Sequence, residues 1–387
     1  YWIAAILAID SIYALPFAKL RLDGKAKRFA FIRLANVLVA VLLNLFFLVF
    51  CDGVANDKFL TELKGPVSIV YTPEFKVKYV FLSNLLANTL FIILLSNQFK
   101  EFKITFNYAK FKPLLIYGFP IMLIGVAGTT NEMLSRALLK FILPEGFYPN
   151  QTNMDALGVF GACYKLSVFM MLGTQAFRYA AEPFFFSKAS QSDSPQLFSN
   201  VMKGFIIFNC LVFLGVTVNL EPLSIMFLGN PTYREGLYIV PFLLMGYLFL
   251  GIYYNLSVWF KVTDKTKYGA MITGLGAVIT VIANFLLIPI LGYLGSALTT
   301  LVTYFFMAVL SYSLGQKHYP IPYKVTSAIY YLSLASIMGY ISYNIDFDSL
   351  FLNIVVRNIF VVLFLAIIYL SERSNLKGRK ILGIKLP

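Results

Sequence analysis

Apolar positions in this chain do not alternate with polar ones; they run on in long blocks. Eleven such blocks can be marked, at 1–20, 29–51, 77–97, 113–143, 157–181, 199–220, 237–260, 269–290, 294–315, 325–345 and 350–370. Each reaches the ~20 residues that a helix needs to cross a ~30 Å hydrocarbon core. In lipid the backbone must satisfy its own hydrogen bonds, which leaves helices or a closed barrel. Barrel strands would alternate apolar and polar residues over about ten positions, and these blocks do not. The pattern predicts an all-α integral membrane protein with eleven transmembrane helices in view.

The polar segments between the blocks are unequal. Those after the first, third, fifth, seventh and ninth blocks, together with the C-terminal tail, are basic: KLRLDGKAKR (19–28), KEFKITFNYAKFK (100–112), KVTDK (261–265) and RSNLKGRK (373–380) are examples. The remaining segments carry few Lys or Arg. Basic loops stay on the cytoplasmic side, so the C-terminus is expected inside and residue 1 outside. The same rule accounts for the net charge of +14, which on a soluble chain would have pointed to nucleic acid; here it implies contact with anionic lipids at the cytoplasmic face. A hydrophobic share of 59% and a mean hydropathy of +0.75 exclude a soluble domain. Cys51, Cys163 and Cys210 fall inside apolar blocks with no pairing or metal spacing and read as packing residues. The one histidine, His318, sits in a short loop, and no cofactor or metal motif appears.

A shift of 240 residues lays 12–50 on 252–290 without gaps, with eight of 39 positions identical, among them Lys25/Lys265, Lys27/Lys267 and Asn44/Asn284. Both segments run helix inward, basic loop, helix outward. That is the pattern of a parallel repeat about an axis normal to the membrane. The first three blocks then match the seventh to ninth. Three helices precede the latter within their half, whereas residue 1 is Tyr and nothing precedes the former. Three further helices are therefore expected ahead of this sequence, for a total of fourteen.

GFPIMLIGVAG (118–128), YKLSVFMMLGTQAFRYAAEPFFF (164–186) and the run from Lys265 to Leu310, with the fourteen-helix total, resemble the Wzx-type polysaccharide flippases of the multidrug/oligosaccharidyl-lipid/polysaccharide exporter superfamily. The resemblance covers essentially the whole chain and rests on apolar spacing, Gly/Pro placement and a few polar residues. It implies two six-helix lobes in a V around a central cavity, with two extra helices beside them. Residues 1–112 would supply the last three helices of the N-lobe, 113–315 the six-helix C-lobe, and 316–387 the two additional helices and a basic cytoplasmic tail. It implies alternating access that carries a polyprenyl-pyrophosphate-linked oligosaccharide outward across the bacterial inner membrane for surface polysaccharide synthesis. Other membrane proteins of that synthesis would be partners, and the two additional helices a groove for the lipid tail.

The polar residues inside the blocks are the candidates for chemistry. Lys165 lies ~13 Å along its helix, too deep to snorkel easily, and a charge at that depth costs ~3 kcal/mol or more unless it meets a partner or water. An anionic pyrophosphate would use such a cation; an internal ion pair would use it equally. In TTNEMLSRALLK (129–140), Glu132, Arg136 and Lys140 recur at i, i+4 and i+8 and share one helix face, with Asn131 adjacent. The stripe suits a cavity wall, or the solvated outer turns of a block that is ~46 Å long at helical rise. Glu132 is positioned to orient Arg136, and is a candidate carboxylate for proton or cation coupling. Gly118, Pro120 and Gly125 would let that helix bend, although Gly and Pro are also common in membrane helices for packing alone. Arg178 and Glu182, four apart near the inner end of their helix, read as an ion pair; Gln175 is a polar candidate on neither face. Tyr253 and Tyr254 fit sugar stacking or an interfacial belt. Arg33, Lys203 and Arg357 lie near helix ends and can snorkel, and Asn44 and Asn284 read as interhelical hydrogen-bonding groups. Asn150-Gln151-Thr152 matches a glycosylation pattern.

Three function classes compete. A flippase for an anionic lipid head accounts for the cationic surplus. An organic-cation efflux transporter on the same fold would favour acidic residues, of which the blocks offer Glu132 and Asp10. A membrane enzyme would need catalytic groups in an outer loop; the longest, 52–76, has no histidine and no usefully spaced carboxylate pair. The sequence favours the flippase and no enzyme activity.

Overall fold

Residues 1–387 are seen in a computed structural model, which describes all but 76, 100–106, 150, 190, 192, 377–379, 382–383 and 386–387, and the backbone alone of 21, 22, 26, 97, 117, 120, 121, 124, 374–376, 380–381 and 384–385. The chain is helical nearly throughout. The long helices are α1 (Trp2–Leu22), α2 (Ala26–Leu45), α3 (Lys78–Leu94), α4 (Tyr108–Ile142), α5 (Asn153–Lys188), α6 (Ser194–Val218), α7 (Val240–Leu256), α8 (Thr266–Leu291), α9 (Tyr293–His318), α10 (Val325–Tyr343) and α11 (Leu350–Leu376). Among the described residues, nine helical segments are long and apolar enough to cross a membrane, and α3 is a shorter apolar helix. The tail carries a two-residue antiparallel pair, Lys380–Ile381 with Ile384–Lys385.

The chain forms two compact units, Tyr1–Tyr108 and Ala109–Pro387. In the first, α1, α2 and α3 pack on one another around Tyr13, Phe17, Leu20, Ile32 and Phe91. Beyond α2 the helix widens into a π-helical turn, Phe46–Cys51. There Phe47, Tyr79 and Tyr71 stack in series, with ring centroids 4.7 and 5.0 Å apart. Tyr71 donates to the Asp52 carboxylate at 2.9 Å. Burial, with the Asp52 carboxylate second, pushes the Tyr71 hydroxyl up to about 12.

The larger unit is built around α7, which packs on α5, α6 and α9. Gly246 of α7 is set so close to α9 that a Cβ would meet the Leu301 backbone nitrogen at 3.3 Å; the absent side chain lets two helices with bulky apolar residues approach. The ends of α10 and α11 are fixed by polar clasps. Lys203 of α6 pairs with Glu372 of α11, which also accepts from the Tyr331 hydroxyl at 2.9 Å. Asn219 and Asn358 exchange reciprocal hydrogen bonds of 3.1 and 2.9 Å. Arg357 extends toward the loop between α10 and α11, where it donates to the Ile345 carbonyl at 2.8 and 3.0 Å and pairs with Glu221 at 3.3 Å and with the exposed Asp346 at 3.5 Å. The loop partners saturate a guanidinium whose stem lies in an apolar span.

The repeat found in the sequence recurs in the backbone. Gly24 and Asp264, 240 positions apart, are both left-handed, at φ +68° and +55°. The next residue in each case closes the turn with a six-residue hydrogen bond, Lys25 to the Leu20 carbonyl at 3.0 Å and Lys265 to the Phe260 carbonyl at 2.8 Å. This is the Schellman pattern, which favours a positive φ at that position. Further on, Asn44 donates to the Ala40 carbonyl at 2.8 Å and Asn284 to the Thr280 carbonyl at 2.7 Å, again 240 residues apart. Two helix–turn–helix units thus share one turn chemistry.

Candidate functional site: a cation and tyrosine track in the larger unit

Helix α4 turns two adjacent stripes toward different surroundings. Asn131, Ser135 and Leu139, spaced by four, are buried. Asn131 accepts from Thr280 Oγ1 at 3.1 Å, and its amide points at the Thr273 carbonyl and the Met307 sulfur, 3.5 and 3.6 Å away. Thr280 meets Thr303 at 3.1 Å, and Asn284 reaches Ser135 at 3.0 Å. This neutral network joins α4, α8 and α9, and it absorbs the hydrogen-bonding capacity of Asn131. Glu132, Arg136 and Lys140 lie one position on, and they are half-buried, half-buried and exposed in turn.

Arg136 lies face-on over the Tyr164 ring of α5, its Cζ 3.6 Å from the centroid. Tyr164 meets Tyr247 of α7 at 5.8 Å, and Tyr247 meets Tyr304 of α9 at 6.0 Å. Lower on α5, Arg178 lies over Tyr254, 4.8 Å from its centroid. Glu182, expected to pair with Arg178, forms its ion pair with Lys261 instead. The ammonium of Lys261, at the end of the segment Val258–Val262, reaches the carboxylate directly, while the guanidinium is drawn to the flat tyrosine face. Tyr164 and Glu182 are 18 positions apart on α5, so these cation and tyrosine contacts are spread over ~27 Å of that helix.

Charge is not balanced along the track. Among the described residues Arg136, Lys140, Lys165 and Arg178 form no ion pair, and Glu132 forms neither an ion pair nor a hydrogen bond. Lys140 sits 5.3 Å from the Phe141 ring. Lys165 is exposed on the face of α5 that also bears Phe169, Leu172 and Tyr179, and no carboxylate among the described residues pairs with its ammonium. Several polar atoms here are buried without a partner in the described protein: Arg136 Nε, the Tyr164 hydroxyl and Gln175 Oε1. Tyr253 is buried, its hydroxyl 3.2 Å from Thr273 Oγ1, so its hydrogen bonding serves packing while Tyr254 faces Arg178. Gly118 and Gly125 stand in open space, where a Cβ would meet nothing within 4 Å, and α4 runs unbroken through both. Pro120's side chain and Asn150 lie outside the described residues.

Sequence reasoning did not single out Tyr164 or Tyr304. Tyr164 directly precedes Lys165, but only the packing of α5 on α4 shows that its ring receives Arg136. Beside α10 lies a cavity of about 440 Å³ with apolar walls that include Ile206, Ile252, Phe305 and Leu332, and with Lys203 and Lys324 also in its lining.

No protein-family model matches this chain, and no curated protein matches it. Among solved structures, its fold is similar to "Lipid II flippase MurJ, inward closed conformation", with a TM-score of 0.62 over 93% of this chain and 84% of that one, at 14% sequence identity. The fold is accordingly that of a multi-pass, all-helical membrane protein.

Proposed function

We propose that this chain belongs to a flippase that moves a polyprenyl-pyrophosphate-linked oligosaccharide from the inner to the outer leaflet of a bacterial inner membrane, for surface polysaccharide synthesis. The observation that carries the reading is the unpaired cationic charge of Lys165 and Arg178 within a helix long and apolar enough to span a membrane, with Arg136 of α4 packed against the same helix, inside a fold similar to that of a lipid II flippase. Such charge is costly in an apolar medium unless an anion or water meets it. A pyrophosphate would supply that anion, and its binding would offset the cost of holding the cations there.

Each group then has a part in alternating access. Lys165, a compact point charge on a flexible stem, would hold the pyrophosphate and release it, assisted by Arg136 and Lys140. The tyrosine faces of the track keep the guanidiniums extended and offer stacking surface for sugar rings. The apolar cavity beside α10 is of a size that takes ligands and would receive part of the lipid tail. Gly118 and Gly125 would absorb the bending of α4. Asn131 acts behind the site, by holding α4 on α8 and α9.

The deciding experiment is flipping of a fluorescent polyprenyl-pyrophosphate glycan in proteoliposomes, with wild type beside Lys165→Ala. The reading expects transport by wild type and a fall of about tenfold or more in the variant, the equivalent of ~1.4 kcal/mol. Uptake of an organic-cation dye in place of the glycan would replace it with the efflux reading.

A further inference from the structure

The smaller unit carries an amphipathic stretch that is too short to span a membrane. Between the span Lys27–Ala55 and α3, a 3-10 turn, Thr61–Leu63, runs directly into a short helix, Lys64–Val70. Val67 is buried beside Phe47, Cys51 and Val54 of that span and beside Tyr71 and Tyr79, so the stretch is held at the level of the span's last turns. At 100° per residue, with Val67 turned inward, Leu63, Pro66, Ile69 and Val70 fall on one flank and Lys64, Gly65 and Ser68 on the other. Glu62 sits at the margin of the apolar flank. That flank is open: Ile69 is 85% exposed, Val70 54% and Leu63 39%. Leu60, just ahead of it, is left-handed at φ +49°, a conformation costly for a bulky side chain, yet its side chain is 58% exposed. Such strain persists where the surroundings repay it, and here the surroundings lie outside the protein.

We propose that the flank formed by Leu60, Leu63, Ile69 and Val70 is an interfacial anchor, seated at the boundary between head groups and acyl chains of the outer leaflet. The basic loops lie at the opposite ends of these helices and set this side as the outer one. The contact is independent of what the protein transports. Three observations select lipid as the occupant. The first is continuity. The most apolar stretch of the span Lys27–Ala55 is only 11% buried inside the protein, and exposed apolar side chains run along it through Val41, Leu42, Leu45, Phe46 and Val49 to the turns on which Val67 packs. The anchor extends that surface without a break in character. The second is size. A stable protein interface takes about 600 Å² or more from each partner, which one flank of a ten-residue stretch does not supply. The third is charge. Asp57, Lys58, Glu62, Lys64 and Glu74 nearly cancel, and Lys64 pairs with Asp57 at 2.7 Å. With little net charge to steer a charged partner, apolar area is what remains to bind, as in helices that lie in a membrane surface.

The polar groups of the loop suit this depth. The Thr72 N–H donates to the Tyr79 hydroxyl at 2.7 Å, the Tyr71 hydroxyl donates to Asp52 at 2.9 Å, and the Ser68 hydroxyl donates to the Gly65 carbonyl at 2.7 Å. Groups near the edge of the hydrocarbon are thus satisfied within the protein, where water is scarce. The Tyr71 and Tyr79 rings stand where tyrosines gather at membrane boundaries, and the exposed Lys58 and Lys64 have stems long enough to reach the head groups. A helix this short does not persist by itself in water; Val67 fixes it from the protein side and the leaflet from the other. The ends of α2 and α3 are then tied to one membrane surface, and the smaller unit cannot shift along the membrane normal without drawing Ile69 and Val70 into water.

The test is spin labelling of the protein in lipid vesicles, with one nitroxide at a time on Leu63→Cys, Lys64→Cys, Ser68→Cys, Ile69→Cys or Val70→Cys. All five positions are exposed, so the fold is not at risk. The unsubstituted protein, whose Cys51, Cys163 and Cys210 are buried, serves as the labelling blank. The ratio of collisions with oxygen, which concentrates in the acyl region, to collisions with a water-soluble nickel chelate should be severalfold higher at Leu63, Ile69 and Val70 than at Lys64 and Ser68. Equal nickel access at all five sites would overturn the proposal, because the loop would then stand in water. Protection of Ile69 and Val70 from both reagents would overturn it too, because a protein partner would then cover them. The pattern should be the same in vesicles of neutral and of anionic lipid; a pattern seen only with anionic lipid makes head-group charge the binding force and refutes an apolar anchor. Tryptophan gives a second readout: lipids brominated on their acyl chains should quench the added emission of Ile69→Trp severalfold more than that of Ser68→Trp, and equal quenching counts against the anchor.

Discussion

Replacing Tyr164 tests the cation and tyrosine track most sharply, because two substitutions remove different parts of the same group. The ring supports Arg136 at 3.6 Å, and the hydroxyl is buried without a partner in the described protein. Tyr164→Phe keeps the ring and removes the orphaned hydroxyl, so stability should be unchanged or higher by about 1 kcal/mol. Tyr164→Leu loses a desolvated cation–π contact of ~2 kcal/mol together with part of the ring burial, a total of ~2–3 kcal/mol. Thermal unfolding in detergent compares the three proteins, and glycan flipping is measured alongside. If the ring alone matters, Phe transports as wild type and Leu does not. If the hydroxyl reaches the substrate, Phe loses transport while its stability holds. A Phe variant as unstable as Leu would refute the reasoning, because it would mean that the hydroxyl has a structural partner and the ring–guanidinium contact contributes little.

Other expectations follow from the same geometry. Asn131→Ala should lower stability by ~1 kcal/mol, within the range of interhelical hydrogen bonds in membranes, and leave flipping per folded molecule unaltered; a selective loss of transport at constant stability would place Asn131 on the substrate. Gly118→Ala and Gly125→Ala meet no steric obstacle and should raise helix stability by ~1 kcal/mol each; slower flipping in the stiffer proteins marks α4 as a bending element, and unchanged rates remove that role. Tyr71, outside the spans, ionises near 10.0 when unfolded and at about 12 when folded, so its neutral form favours the fold. Its stabilisation is complete below the unfolded value and is lost as pH rises from there through about 12. Absorbance titration should show a late tyrosine in wild type that moves earlier in Asp52→Asn.

Much of this architecture is legible before any coordinates. Unbroken apolar blocks separated by short loops admit only helices in lipid, and the helices form where the blocks stand. The 240-residue repeat is equally visible as sequence, because a positive φ, a following lysine and a mid-helix asparagine are local features that the same local chemistry reproduces at Gly24 and Asp264. The stripe Glu132, Arg136, Lys140 follows from helical period alone. What period cannot supply is the neighbour across the helix. Asn131 is one residue from Glu132, a rotation of ~100°, and that rotation carries it from the charged stripe into the interior network with Thr280 and Thr303. Arg178 and Glu182 have the spacing of an ion pair, yet Glu182 takes Lys261 and Arg178 takes Tyr254, because groups from another helix offer each a better geometry. Asp10, Asn36 and Asn88 lie 26 and 52 residues apart, and Asn36 donates to Asn88 at 3.1 Å and Asn88 to Asp10 at 3.0 Å only because α1, α2 and α3 pack. Spacing along a helix fixes which residues share a face; which face meets which partner is a property of helix packing, where contacts between distant residues decide the pairing of every polar group that lipid leaves without water.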